Sequence, residues 1–373
     1  MIQPWPLLLI PLLAVLRTAT GASVPISIDV IPGTTSSSPS VAQFSSLSSG
    51  FDAPKVKSLN STSFDWWYFD VVSSDLDYSL VVVFFTADAT GLWTGTTDVG
   101  TADYVAISVT STDGALFNVG VLAEELTVVT IGDGSSGILD GTLTGWTGSP
   151  DMSQYEILVD DPVSGLQGTV SFQSIAPAHF PCAPATAPAG QPLNLGDNFE
   201  LGWLNAVPDA NAVVDFDFNG TKIQFSGSGY HDKNWGAKPM YTAVKAWYWG
   251  HARLGPYSLV WFDFVAPDGT EQASNYLARD GEIMASTCSG LSVRAIPESI
   301  IFPPTPASDP PQGFTITADI EGEGVLEVQV THKQEITQET GTSLRWIGSV
   351  TGKLGNGTVY EGTALYEQFT FAT

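Results

Sequence analysis

Tyr78-Ser79-Leu80-Val81-Val82-Val83-Phe84-Phe85 is the stretch on which the fold turns. β-branched and aromatic side chains favour a pleated, buried strand, and the Ser/Asp and Thr/Asp residues on either side favour turns. Strand-like runs recur outward from it at 104–109, 116–122, 126–131, 155–159 and 168–174, with Gly and Asp between them. No stretch of twelve or more residues in this half carries helical periodicity. Residues 176–196 interrupt the pattern with five prolines before Leu193, which reads as a linker or crossing loop. Strands resume at 213–218, 222–228, 246–251 and 257–264, and the last group covers 313–320, 324–332, 343–354 and 357–371. The pattern predicts an all-β protein with two tandem β-barrel domains.

The boundaries follow from composition. Residues 7–16 form an apolar run too short to span a bilayer, followed by small residues, so 1–22 reads as a secretory signal peptide cleaved near Ala22. The other reading is an uncleaved anchor. No later stretch reaches transmembrane length, so no stable membrane insertion is expected after cleavage. Residues 23–50 are rich in Ser, Pro, Gly and Thr and are expected to form a flexible arm. The barrels are then expected at 51–190 and 191–373. Sequons at Asn60, Asn219 and Asn356 fit a secreted glycoprotein. Cys182 and Cys288 either pair in an oxidising lumen or stay as buried thiols.

The chain has 373 residues and a net charge of −26, with 13 basic against 39 acidic residues. Phosphates would be repelled, so a nucleic-acid partner is excluded. Four histidines fall in no metal-binding spacing, no Gly-x-Ser-x-Gly elbow is present, and no phosphate-cradling glycine loop occurs. No metal and no cofactor are expected.

Two stretches concentrate chemistry. Gly229-Tyr230-His231-Asp232-Lys233-Asn234-Trp235-Gly236 packs hydrogen-bonding and titrating groups together in a chain only 14% charged. Such a cluster is either a structural polar network or a reaction site, because each buried group needs a partner. On a strand, Tyr230, Asp232 and Asn234 share one face, and His231, Lys233 and Trp235 the other. Ser63-Phe64-Asp65-Trp66-Trp67-Tyr68-Phe69-Asp70 is the second. Its aromatics either fill a core or line a cavity, and alternation lets one pair do each. Lone Trp203 and Trp346 read first as core residues. An aromatic pocket of this kind, with a few polar groups, accelerates a reaction by holding a flexible substrate in one reactive shape.

Phe64–Asp70 resembles the signature of the lipocalin-like hydroxyneurosporene synthase/AttH group. With the Asn198–Trp203 motif, Gly229–Gly236, Trp247-Tyr248-Trp249-Gly250-His251 and the 255–261 stretch, it is similar to the fungal Diels–Alderases. The resemblance runs from about residue 50 to the C-terminus. It implies a pericyclase performing a stereoselective intramolecular [4+2] cycloaddition on an apolar linear polyene, decalin-forming, supplied by an upstream polyketide synthase pathway, without a cofactor. It implies Tyr68, Tyr230, Asp232 and Asn234 as catalytic residues and Trp67, His231, Trp235, Trp249 and Trp346 as substrate-binding. A hetero-Diels–Alder reaction, another ring-forming cycloaddition, a water-adding enzyme and a non-catalytic carrier of an apolar metabolite are the alternatives. The resemblance implies an intracellular protein, whereas the apolar leader implies the secretory pathway.

Overall fold

Ser79–Ala87 is a strand buried along its whole length, and it pairs antiparallel with Phe64–Ser73, which is buried at all ten positions. The structure is a computed structural model describing residues 24–371, apart from 93–98, 112–113, 115, 197–198 and 340–342. The expected signal peptide and Asn198 lie outside the described residues. Side chains of the two strands alternate between two separate cores, as period-two geometry requires. Trp67, Phe69, Val71, Leu80, Val82 and Phe84 enter one core. Phe64, Trp66, Tyr68, Val81, Val83 and Phe85 enter the other. A strand covered on both faces must be apolar at consecutive positions, and each large apolar side chain so buried stabilises by roughly 1.5–3 kcal/mol.

Among the described residues two large sheets carry the fold. The first runs from Ile26–Pro32 at one edge, through Glu125–Ile131 and the hairpins up to Leu166–Ser174, then Gly202–Phe218, Thr221–Gly236, Phe64–Ser73, Ser79–Ala87 and Asp103–Thr110, to Leu116–Ala123. It curls about the core containing Trp67, Phe69, Trp146 and Phe172. The second centres on Ala246–Leu254, flanked by Tyr257–Val265 and Tyr360–Thr370, and encloses a core with Tyr248, Trp261 and Tyr366. Between the sheets lies the middle core, where Trp66 and Tyr68 of the first meet Trp247, Trp249 and Phe262 of the second. No described helix is long and apolar enough to cross a membrane.

The all-β architecture agrees with the sequence, but the sheets do not divide at 190/191. Gly202–Phe218 and Thr221–Gly236 pair with each other and with strands of the first sheet, so that sheet continues to Gly236 and the second begins at Ala246. The Pro-rich stretch breaks strands without separating sheets. Phe180, Leu193 and Leu195 along it are buried. The expected flexible arm also contains a strand, Ile26–Pro32, laddered to Glu125–Ile131. Ile26, Ile28 and Val30 stay exposed there, so backbone bonding holds the segment without the burial pattern that marks a strand.

Specific contacts fasten the sheets together. Cys182 and Cys288 are disulfide-bonded, joining the Pro-rich crossing to the strand Glu282–Thr287. Arg253 Nη2 donates to Asp209 Oδ1 at 2.6 Å, and Ser258 Oγ donates to Asp209 Oδ2 at 2.7 Å. His251 Nε2 lies 2.9 Å from both oxygens of Asp70. Asn219 and Asn356 occupy exposed turns, whereas the Asn60 side chain accepts from the Thr62 and Ser63 backbone in its own turn.

Candidate functional site

Thr221–Gly236 crosses from the open end of the first sheet into the junction of the two sheets, and its last seven residues are all buried. Alternation there separates two chemistries. Asp232 and Asn234 face the second sheet and line a cavity of ≈ 270 Å³. Aromatic walls come from Trp66, Tyr68 and Phe85 on one side and Trp247, Trp249 and Phe262 on the other. Arg345 and Glu367, from Ser343–Leu354 and Tyr360–Thr370, also line the cavity.

Asp232 Oδ2 accepts from Trp203 Nε1 and from Tyr230 OH, both at 2.8 Å. Oδ1 has no hydrogen-bond partner among the described residues. Burial pushes the carboxyl up to about 7, against the opposing pull of those two donors. The carboxyl therefore keeps its proton to a higher pH than a solvent-exposed aspartate does. Tyr230 does not line the cavity. Its ring is stacked on His251 with centroids 4.4 Å apart, and His251 is held by Asp70. This arrangement fixes the phenol that orients Asp232.

Among the described residues Tyr68 OH, a buried donor on the wall, has no hydrogen-bond partner, and Trp249 Nε1 has none beyond the Tyr230 side chain. Burial raises the Tyr68 phenol well above its ordinary range, so it stays protonated. The two rings meet edge to face at 5.5 Å, and Tyr68 lies opposite Asp232 on the adjoining strand. An unpaired buried donor costs roughly 1–3 kcal/mol, which a ligand acceptor offsets on binding. Asn234, also on the cavity wall, donates through Nδ2 to the Gly202 carbonyl at 3.3 Å. A Cβ at Gly202 would stand 2.1 Å from Trp235 Cε2, so glycine is what lets the indole seat beside this strand.

The opposite face of the same strand belongs to the first core. His231 Nδ1 donates to the Tyr68 carbonyl at 2.9 Å, its Nε2 lies 3.2 Å from Asp52 Oδ2, and its ring stacks on Phe69 at 3.9 Å. Ser135 and Tyr155 donate to the same Asp52 oxygen. Burial works to raise the Asp52 carboxyl, but His231 and Lys233 outweigh it and hold it below its ordinary value. Lys233 Nζ donates to Asp65 Oδ1 at 2.6 Å and sits 3.6 Å over Trp67.

The expected site therefore divides. Tyr68, Asp232, Asn234 and Trp249 meet at the cavity, with Tyr230 directly behind. Trp67, His231 and Trp235 are not at the cavity, because strand alternation turns them into the first core. Trp67 Nε1 donates to the Asp52 carbonyl and Trp235 Nε1 to the Gln43 carbonyl. Trp346 lies in the core of the second sheet, stacked on His332 at 4.2 Å. Arg345 and Glu367 went unnoticed. The available signal was an arginine inside a strand pattern in a chain poor in basic residues; its glutamate is recognisable only from strand pairing.

The Diels-Alderase-like family matches residues 28–295. The chain belongs to this family. Among its relatives, the quinolone epoxide rearrangement protein penF of Penicillium thymicola is 39% identical, with 86% of this chain and 89% of that protein covered. The quinolone epoxide rearrangement protein asqO of Emericella nidulans is 34% identical over 86% of this chain and 87% of its own length. In three dimensions this Diels-Alderase-like chain shares the fold of CghA, solved with Sch210972, at a TM-score of 0.73, 18% identity and coverage of 92% and 99% of the two chains.

Proposed function

We propose that the cavity catalyses an acid-assisted rearrangement of an epoxide carried on an apolar aromatic substrate. The observation that carries this reading is the buried Asp232 carboxyl, held by Trp203 and Tyr230 on the wall of an aromatic chamber and pushed up to about 7 by burial. Asp232 gives its proton to the epoxide oxygen as the benzylic C–O bond breaks. The resulting cation faces aromatic rings, whose π-electrons stabilise positive charge. A neighbouring group migrates with its electron pair to the cationic carbon, and the hydroxyl proton returns to the carboxylate as the carbonyl forms. Atoms and electrons balance within the substrate, so the product is an isomer. The names of the two quinolone epoxide rearrangement proteins support this substrate class.

Incubation with a quinolone epoxide followed by mass spectrometry tests it. The expected product is a carbonyl isomer of unchanged mass. A diol, heavier than the substrate by one water, would mean that water opened the ring and would overturn the rearrangement. A second reading is the [4+2] cycloaddition, favoured by the Tyr68 OH, which has no hydrogen-bond partner among the described residues and is suited to polarise a dienophile carbonyl. It predicts cyclisation of a linear polyene at a rate indifferent to the Asp232 proton.

A further inference from the structure

Resting on that reading of the chamber, we propose that Arg345 and Glu367 form a recognition subsite for a planar cis-lactam head group. Arg345 donates to the lactam carbonyl and Glu367 accepts from the lactam N–H. The two residues are direct cross-strand partners and both are largely buried, with side chains 17% and 6% exposed. Arg345 Nε donates to Glu367 Oε2 at 2.8 Å, and Nη2 donates to the same oxygen at 2.5 Å. Glu367 Oε1 accepts from Trp247 Nε1 at 2.8 Å. A guanidinium carries five N–H groups and a carboxylate about four acceptor positions. Nη1 has no partner among the described residues, and Oε1 has accepted only once. The pair thus keeps donors and an acceptor unused, side by side on a cavity wall.

A cis-lactam shows its carbonyl and N–H on one edge, matching that order. A lactone shows two acceptors there, one of them against a carboxylate. An anionic head group would also meet Glu367, so a neutral lactam is the better complement. Position links the subsite to the chemistry. Arg345 Cζ lies 5.2 Å from the Tyr68 ring centre, and Tyr68 stands opposite Asp232. A flat head group held at Arg345 therefore lies across Tyr68 from the acid, and its substituent points toward Asp232. An ion pair serving only to brace two strands would have no need to face the cavity.

Isothermal titration with 4-phenylquinolin-2(1H)-one and with 4-phenylcoumarin tests the subsite. The two probes share shape and carbonyl, neither has an epoxide, and only the first has the N–H. Wild-type protein is expected to bind the lactam about tenfold or more tightly than the lactone, since a site built around a hydrogen bond rejects the analogue lacking it. The paired variant Arg345→Met/Glu367→Leu, apolar on both sides, is expected to bind the two alike. Equal wild-type affinities, or a preference that survives in the paired variant, would overturn the proposal. The wild-type comparison decides the matter even where the variant does not fold. Asp232→Asn is expected to keep the lactam preference, so a failure of the acid mechanism and a failure of this subsite give different results.

Discussion

Asp232 stands directly opposite Tyr68 on neighbouring antiparallel strands, and both side chains reach the same cavity. One is a buried carboxyl pushed up to about 7 and the other a phenolic hydroxyl with no hydrogen-bond partner among the described residues. Cross-strand neighbours have Cβ atoms roughly 4.5–5.5 Å apart, so a single small functional group touches both. The strand pair itself therefore sets the spacing of acid and donor.

Asp232→Asn keeps an acceptor for Trp203 and Tyr230 but removes the proton. Turnover of an aryl epoxide is expected to fall by about 10²–10⁴ with the substrate KM little changed, the usual range for loss of a general acid. The wild-type rate is expected to decline as pH rises through about 7, where the carboxyl ionises. Single-turnover kinetics across pH 5–9 (about the range that brackets this step) check both. A wild-type profile flat through neutrality would count against the acid role.

The same carboxyl ties stability to pH. Burial raises it from the ordinary 3.8 to about 7, so the folded protein binds the proton more tightly than the unfolded chain. The contribution is fully present below about 4 and is lost as pH climbs to about 7. Urea unfolding at pH 4.5 and pH 7.5, about the two ends of that window, is expected to show wild type losing more stability across the interval than Asp232→Asn. Buried Asp103 and Asp263 titrate in both proteins, so the difference isolates Asp232.

Most of the fold is legible because its signal is local. Val81-Val82-Val83-Phe84-Phe85 and Phe64–Asp70 announce strands covered on both faces, and alternation correctly separates Tyr230, Asp232 and Asn234 from His231, Lys233 and Trp235. The sequence does not reveal which face meets the cavity, because both faces of Phe64–Ser73 are equally apolar. Trp67 and Trp66 differ only in which core receives them. Trp346 sits in the core, as its lone place in a strand suggests, and only the resemblance puts it at the site. Arg345 and Glu367 escape notice because their meaning comes from pairing across separate strands. The sheet boundary at 236/246 also depends on pairing, and prolines at 176–196 mimic a linker.

Tyr68→Phe separates binding function from structure. The hydroxyl has no protein partner, so its removal is expected to leave stability unchanged or slightly raised. If the hydroxyl steadies charge developing on the substrate oxygen, turnover drops by roughly 10²–10³, the effect of losing one preorganised donor. Thermal unfolding and kcat measured on the same preparation check the pair of outcomes. A stability loss with unchanged turnover would assign the hydroxyl to the fold.

Asp65 and Lys233 meet at 2.6 Å with almost no exposure, on the face of the strand turned away from the cavity. Burial is the largest influence on both, raising the Asp65 carboxyl and lowering the Lys233 amine against their mutual attraction. Desolvation therefore outweighs the ion pair, and the pair adds little net stability. Removing one partner is different, because Asp65→Ala leaves a buried ammonium without its carboxylate. That variant is expected to lose about 3–5 kcal/mol, while Asp65→Leu/Lys233→Met loses only the roughly 1–3 kcal/mol of the buried Lys55 N–H that Asp65 Oδ2 accepts. Urea melts of the two variants check the contrast. Lys233 neighbours Asp232 along one strand, so a displacement of the unpaired amine would shift the acid with it. Turnover per folded molecule is accordingly expected to fall in Asp65→Ala and to remain within a few-fold of wild type in the apolar pair. Equal turnover in both variants would show that the two faces of the strand act independently.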